Sequence, residues 1–95
     1  MPLFVVICTD KPNSLDLRLA TRPAHLAYVG APGSPAKVGG PMMNEQDKPK
    51  GSIVVMEADS VAEIEAFLAE DPYAKAGLFE KVEIHPWRIA VGALP

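Results

Sequence analysis

Apolar and polar positions divide the chain into a small number of elements. Residues 2–9 (PLFVVICT) form an almost unbroken apolar run rich in β-branched side chains, and Asp10-Lys11-Pro12-Asn13 ends it. That pattern predicts a strand followed by a turn. Leu15 to Ala20 reads as a short helix capped by Asn13 or Ser14. Pro23 then interrupts a second helical stretch, so the main first helix is placed to begin at Arg22-Pro23, with Thr21 as its N-cap. The APGSPA segment (31–36) is a loop, and Lys37 to Met43 is a weak strand whose Pro41 marks a sheet edge. After a polar turn, residues 51–58 (GSIVVMEA) form a second strong strand. Ser60 and Glu63 have capping-box spacing, and Val61, Ile64 and Leu68 recur at helical intervals, so a helix runs from there to Asp71. Pro72 to Gly77 is one further turn closed by glycine. Phe79 to Ile84 alternates as a last strand, broken at Pro86.

The order β-α-β-β-α-β predicts a single α+β domain over residues 1–95. Its simplest form is the ferredoxin-like sandwich, an antiparallel sheet of order 4-1-3-2 with both helices on one face. In the first strand Leu3, Val5 and Ile7 point to one side, and Phe4, Val6 and Cys8 to the other. In the third, Ile53 and Val55 oppose Val54 and Met56. Both faces of the two central strands are therefore apolar, yet helices cover only one. A bare apolar sheet face is avoided by soluble monomers, which predicts a homodimer through that face.

Composition narrows the partners. With 48% hydrophobic residues the chain is globular, and a net charge of −3 without a basic run argues against nucleic acid. The longest apolar run is too short to span a bilayer. Cys8 stands alone, so no internal disulfide forms; a cytoplasmic location and a buried structural thiol are the expectations. No glycine-rich phosphate loop, metal cluster or Ser/His/Asp arrangement stands out, so neither cofactor nor metal is expected.

In this topology the end of the first strand, the start of the first helix and the end of the second helix meet at one sheet edge. That gathers Asp10, His25 and Asp71. A carboxylate beside an imidazole fixes its tautomer, and an oriented imidazole serves as a general acid or base. Each residue also has a plain structural reading: His25 as a surface residue, Asp10 as a turn residue, Asp71-Pro72 as an N-cap pair. Arg18, Arg22 and His25 would share a stripe only on a continuous helix, and that stripe reads as a solvated face. His85 reads as part of a solvated strand face.

The segments TDKPNSLDLRLATRPAHL, GGPM, GSIVV, EDPYAKAG and VEIHPW, in this order along nearly the whole chain, resemble the YciI family (YCII-related domain). The resemblance implies a ferredoxin-like domain paired into a dimeric α/β barrel, with a site centred on a histidine and an aspartate. The histidine corresponds to His25; Asp71 is favoured as its partner, with Asp10 the second candidate. One branch of the family is associated with dehydrochlorination of a chlorinated aromatic diol. The implied activity is cofactor-independent elimination, isomerisation or hydrolysis of a small phenolic, lactone or anionic compound. In that reading Asp10, Arg22 and Tyr73 contact substrate. The competing reading is a non-catalytic dimeric module that binds a small molecule. One departure is that Tyr28-Val29-Gly30 runs directly into the APGSPA loop, which predicts a first helix shorter than is usual in the family and a change in one pocket wall.

Overall fold

The computed structural model describes residues 2–95. Its elements are β1 (Leu3–Asp10), α1 (Leu15–Val29), β2 (Ala36–Met43), β3 (Pro49–Glu57), α2 (Val61–Ala69), α3 (Pro72–Lys75) and β4 (Phe79–Trp87). The four strands form one antiparallel sheet in the order β2-β3-β1-β4, the predicted 4-1-3-2 arrangement read from the other edge. Val5 pairs with Val55 and Val6 with Val54, so the alternation of the two central strands stays in step. Phe4, Val6, Cys8, Val54 and Met56 project to one side and close on Ile64 and Leu68 of α2. The other side carries Leu3, Val5 and Ile7, all half-buried, and Ile53, which is 40% exposed. β3 approaches β1 so closely at Gly51 that a Cβ there would overlap the Cys8 carbonyl oxygen. Among the described residues no helix is long and apolar enough to cross a membrane.

Several local expectations need correction. α1 is one continuous helix through Pro23, not a short turn followed by a new helix at Arg22. It spans 15 residues and ends at Val29, just before the loop at 31–35. Thr21 does not cap a helix; its hydroxyl donates to the Leu17 carbonyl at 2.8 Å, inside α1. The reason is tertiary. Proline removes one ladder bond, whereas both halves of α1 are tied to the body: Arg18 to Asp10 and Ser52, His25 to Asp71, and Tyr28 to the Phe67 carbonyl at 2.6 Å. β4 likewise continues through Pro86, which pairs with Phe4. It is an edge strand, where a missing donor is tolerated.

Ser60 caps α2 by accepting from the Glu63 amide at 3.3 Å, while the Glu63 carboxylate reaches back to the Asp59 amide at 3.0 Å. This is a capping box displaced by one residue at its return arm. α3 ends as predicted at Gly77, with φ of 75°. The Leu78 amide bonds the Tyr73 carbonyl at 3.1 Å and the Gly77 amide bonds the Ala74 carbonyl at 3.0 Å. These two bonds form a Schellman cap. Tyr73 and Leu78, at the two positions between which this motif usually makes an apolar contact, are both fully buried.

Candidate active site

Asp71 is the residue between α2 and α3. Its extended backbone starts α3, and its Oδ1 accepts the Tyr73 amide at 2.9 Å, an N-cap with Pro72 at the first helical position. The same carboxylate meets His25: Nδ1 lies 2.9 Å from Oδ1 and 3.1 Å from Oδ2. The structural and the chemical readings of Asp71 therefore hold together, because an ionised carboxylate offers about four acceptor positions. Nδ1–H donating to Asp71 leaves the lone pair on Nε2. That atom has no protein partner among the described residues.

His25 sits in the third turn of the continuous α1, not in a first turn, and is less exposed than the sequence suggested. Its side chain is 12% exposed. One face of the imidazole stacks on Tyr73, with ring centroids 3.9 Å apart and planes 15° from parallel. Burial raises the pKa of the Tyr73 phenol above its ordinary value, although the Arg18 and Arg22 charges pull it down.

Asp10 does not contact His25. At the end of β1, where the β4 register shifts, it forms a two-pronged ion pair with Arg18. Arg18 Nε donates to Oδ2 at 2.7 Å and Nη2 to Oδ1 at 3.0 Å. Nη2 also donates to Ser52 Oγ at 2.8 Å. Burial pulls the Arg18 pKa down, but the hydrogen bond and charge of Asp10 outweigh it, so the group is held more firmly cationic. The guanidinium carbon lies 4.7 Å from the Tyr73 ring centre, a cation–π contact. The stripe of Arg18, Arg22 and His25 is thus not a solvated face. Arg18 is only 4% exposed, and Arg22 alone is exposed.

These side chains meet at a cavity of about 590 Å³ between α1 and the β2–β3 half of the sheet, on the helix-covered side. Arg18, Arg22, His25 and Tyr73 line it from α1 and α3, and Ser52 lines it from β3. Its walls are apolar, with Leu19 and Leu26 on one side and Val38 and Met43 on the other. A cavity of this size, apolar with a few convergent polar groups, suits a small organic molecule. Ser52 escaped the sequence reading, and Arg18 was read as part of a solvated face. The available signal was spacing: Arg18 and His25 are seven residues apart, so on one unbroken helix an inward His25 brings Arg18 inward too.

Sequence and structure comparisons point in one direction. Residues 2–88 match the YCII-related domain family. Protein YciI of Escherichia coli O6:H1 is 34% identical over 94 residues, covering 90% of this chain and 96% of that protein. Among solved structures, 5-chloro-2-hydroxyhydroquinone dehydrochlorinase (TftG) from Burkholderia phenoliruptrix AC1100, in complex with 2,5-dihydroxybenzoquinone, superimposes with a TM-score of 0.81. It is 35% identical, with 90% of this chain and 93% of that one covered. A NIPSNAP domain protein from Burkholderia xenovorans shares the fold, with a TM-score of 0.58 at 11% identity and full coverage of both chains.

Proposed function

The chain belongs to the YCII-related domain family, and from that premise we propose that it is a small-molecule enzyme in which His25 acts as general acid and base. One observation carries the reading: Nδ1 of His25 is held by Asp71 at 2.9 Å, while its other nitrogen is unpartnered and His25 lines the cavity. An imidazole so oriented takes a proton from a hydroxyl or an acidic carbon of the substrate. Asp71 stabilises the imidazolium that forms. In an elimination, the electron pair left behind builds the new double bond and the leaving group departs with its own pair. In an isomerisation, the same proton returns at another position. The likeness to a dehydrochlorinase, at 35% identity and nearly full coverage, favours elimination on a small phenolic compound.

The reading includes a homodimer. Leu3, Val5, Ile7 and Ile53 lie on the sheet face that no helix covers. Pairing two such faces would bury several aliphatic side chains, each contributing roughly 1.5–3 kcal/mol before association costs.

The test is a screen of small phenols, halogenated hydroquinones and lactones with the wild-type chain and a His25→Ala variant. Turnover by the first and its loss in the second supports the enzyme. Full turnover by the variant would take His25 out of the chemistry, and binding without turnover across the screen would leave the non-catalytic module.

A further inference from the structure

The charges around the cavity are one-sided. Arg18, Arg22 and Lys37 line it, while no carboxylate does among the described residues. This holds in a chain whose net charge is −3. The two aspartates of the site lie behind the lining, turned toward Arg18 and His25.

Arg18 is the innermost of these cations. Three of its five N–H groups are committed: one on Nε and both on Nη2, to Asp10 and Ser52. The two on Nη1 have no protein partner among the described residues. Among the described residues no buried side-chain nitrogen or oxygen lacks a hydrogen bond. Nη1 therefore keeps access to the cavity that Arg18 lines, although the residue is only 4% exposed. Asp10 and Ser52 fix the plane of the guanidinium, so its open edge is oriented before any ligand arrives.

The geometry points to Arg18 as an anion-binding residue that holds an oxyanion of the ligand on Nη1, so that within the phenolic class proposed above the ionised form is bound in preference to the neutral one. The inference rests on the proposed function for taking the cavity as the substrate site. Charge-assisted hydrogen bonds from a desolvated, preoriented guanidinium are the strong ones. The apolar walls supply the contact for the rest of the molecule. Arg22, exposed at the cavity and free of any ion pair among the described residues, adds attraction at longer range.

The experiment compares binding of 4-nitrophenolate with its neutral isostere 4-nitroanisole by calorimetry, at a pH where the phenol is ionised. The wild-type chain should prefer the anion by roughly 10-fold or more, the range of one charge-assisted hydrogen bond. In Arg18→Lys a cation still faces Asp10, but the flat second donor edge is gone, and most of that preference should vanish. Arginine nitrogen resonances of the unsubstituted protein supply a reading that no folding defect can disturb. The guanidinium signal of Arg18 should move on addition of 4-nitrophenolate and stay still with 4-nitroanisole. Equal binding of the two probes, or shifts confined to Arg22, would overturn the inference. His25→Ala separates it from the catalytic reading: that variant should keep the preference for the anion. If His25→Ala loses turnover while Arg18 proves silent, the enzyme stands and the anion site falls. If nothing is turned over but the preference depends on Arg18, the anion site stands alone.

Discussion

Tyr73 lies face to face with His25, ring centroids 3.9 Å apart, while Asp71, two residues earlier in the chain, holds the edge of the same imidazole at 2.9 Å. A three-residue segment therefore fixes the ring in position and in rotation. Both contacts depend on the start of α3, where Asp71 is the N-cap and Tyr73 the residue whose amide it binds.

The cap that Asp71 provides and its proposed part in catalysis separate by substitution. Asparagine caps a helix almost as well as aspartate but carries no charge to stabilise an imidazolium. Asp71→Asn should therefore lower turnover with little loss of thermal stability. Asp71→Ala should lower both, with about 1 kcal/mol attributable to the lost cap. His25→Ala should cut turnover by about 10²–10⁴-fold. Steady-state kinetics on a substrate found by screening, with thermal melts alongside, check all three.

Asp10→Ala should be strongly destabilising. It leaves Arg18, 4% exposed, without its counter-charge. Breaking a buried pair from one side costs about 3–5 kcal/mol. Urea unfolding of the two proteins measures the difference, and a loss below about 1 kcal/mol would show that water replaces the carboxylate.

Pro23→Ala should stabilise the chain. The proline is exposed and sits inside an unbroken helix, where it denies the Leu19 carbonyl its amide partner. Proline in a helix interior is less favourable than alanine by up to about 3 kcal/mol. A higher melting temperature is expected; a lower one would mean that the rigidity of Pro23 in the unfolded chain outweighs the missing bond.

Cys8 makes stability fall at alkaline pH. Burial pushes its thiol from the ordinary 9.0 up to about 12, with a smaller push from Asp71. The folded chain thus keeps a proton that the unfolded chain releases. This contribution to stability is whole below pH 9.0 and declines as pH rises toward about 12. Urea titrations at increasing alkaline pH should show a steeper decline for the wild type than for Cys8→Ala. A thiol reagent should react slowly with the native protein and readily in denaturant.

Light scattering at micromolar concentration should give twice the chain mass of 10.2 kDa. Ile53→Glu, on the sheet face away from the helices, should return the mass to one chain while circular dichroism stays unchanged. A wild-type mass of 10.2 kDa would contradict the proposed dimer.

Much of this fold was legible because short-range rules and packing agree. The alternating faces of β1 and β3, the cap at Ser60 and the glycine stop at Gly77 need only the residues around them. The joining of His25 to Asp71 was expected, but from a helix start at Arg22 that the structure moves back to Leu15. Pro23 and Arg18 were misread for one shared reason. Each looks local, a helix breaker and a solvated cation, but each is decided by partners distant in sequence. Arg18 bonds Ser52, 34 positions away, and that bond together with its neighbours ties α1 to the body on both sides of the proline. Pro86 was misread as a strand end because its neighbour across the sheet, Phe4, lies at the far end of the chain.

The cavity draws on two sets of elements. Asp10, Arg18, His25, Asp71 and Tyr73 come from β1, α1 and the start of α3, and they are bonded to one another. The opposite wall, with Val38 and Met43, comes from the edge strand β2, which is flanked by the loop at 31–35 and the turn at 44–48. None of the hydrogen bonds among the charged groups passes through that wall. Changes of length or side chain in β2 and its flanks can therefore reshape what fits in the cavity and leave the His25–Asp71 contact undisturbed. A scaffold divided in this way lets the fit of a ligand drift between descendants while the His25–Asp71 pair is inherited intact.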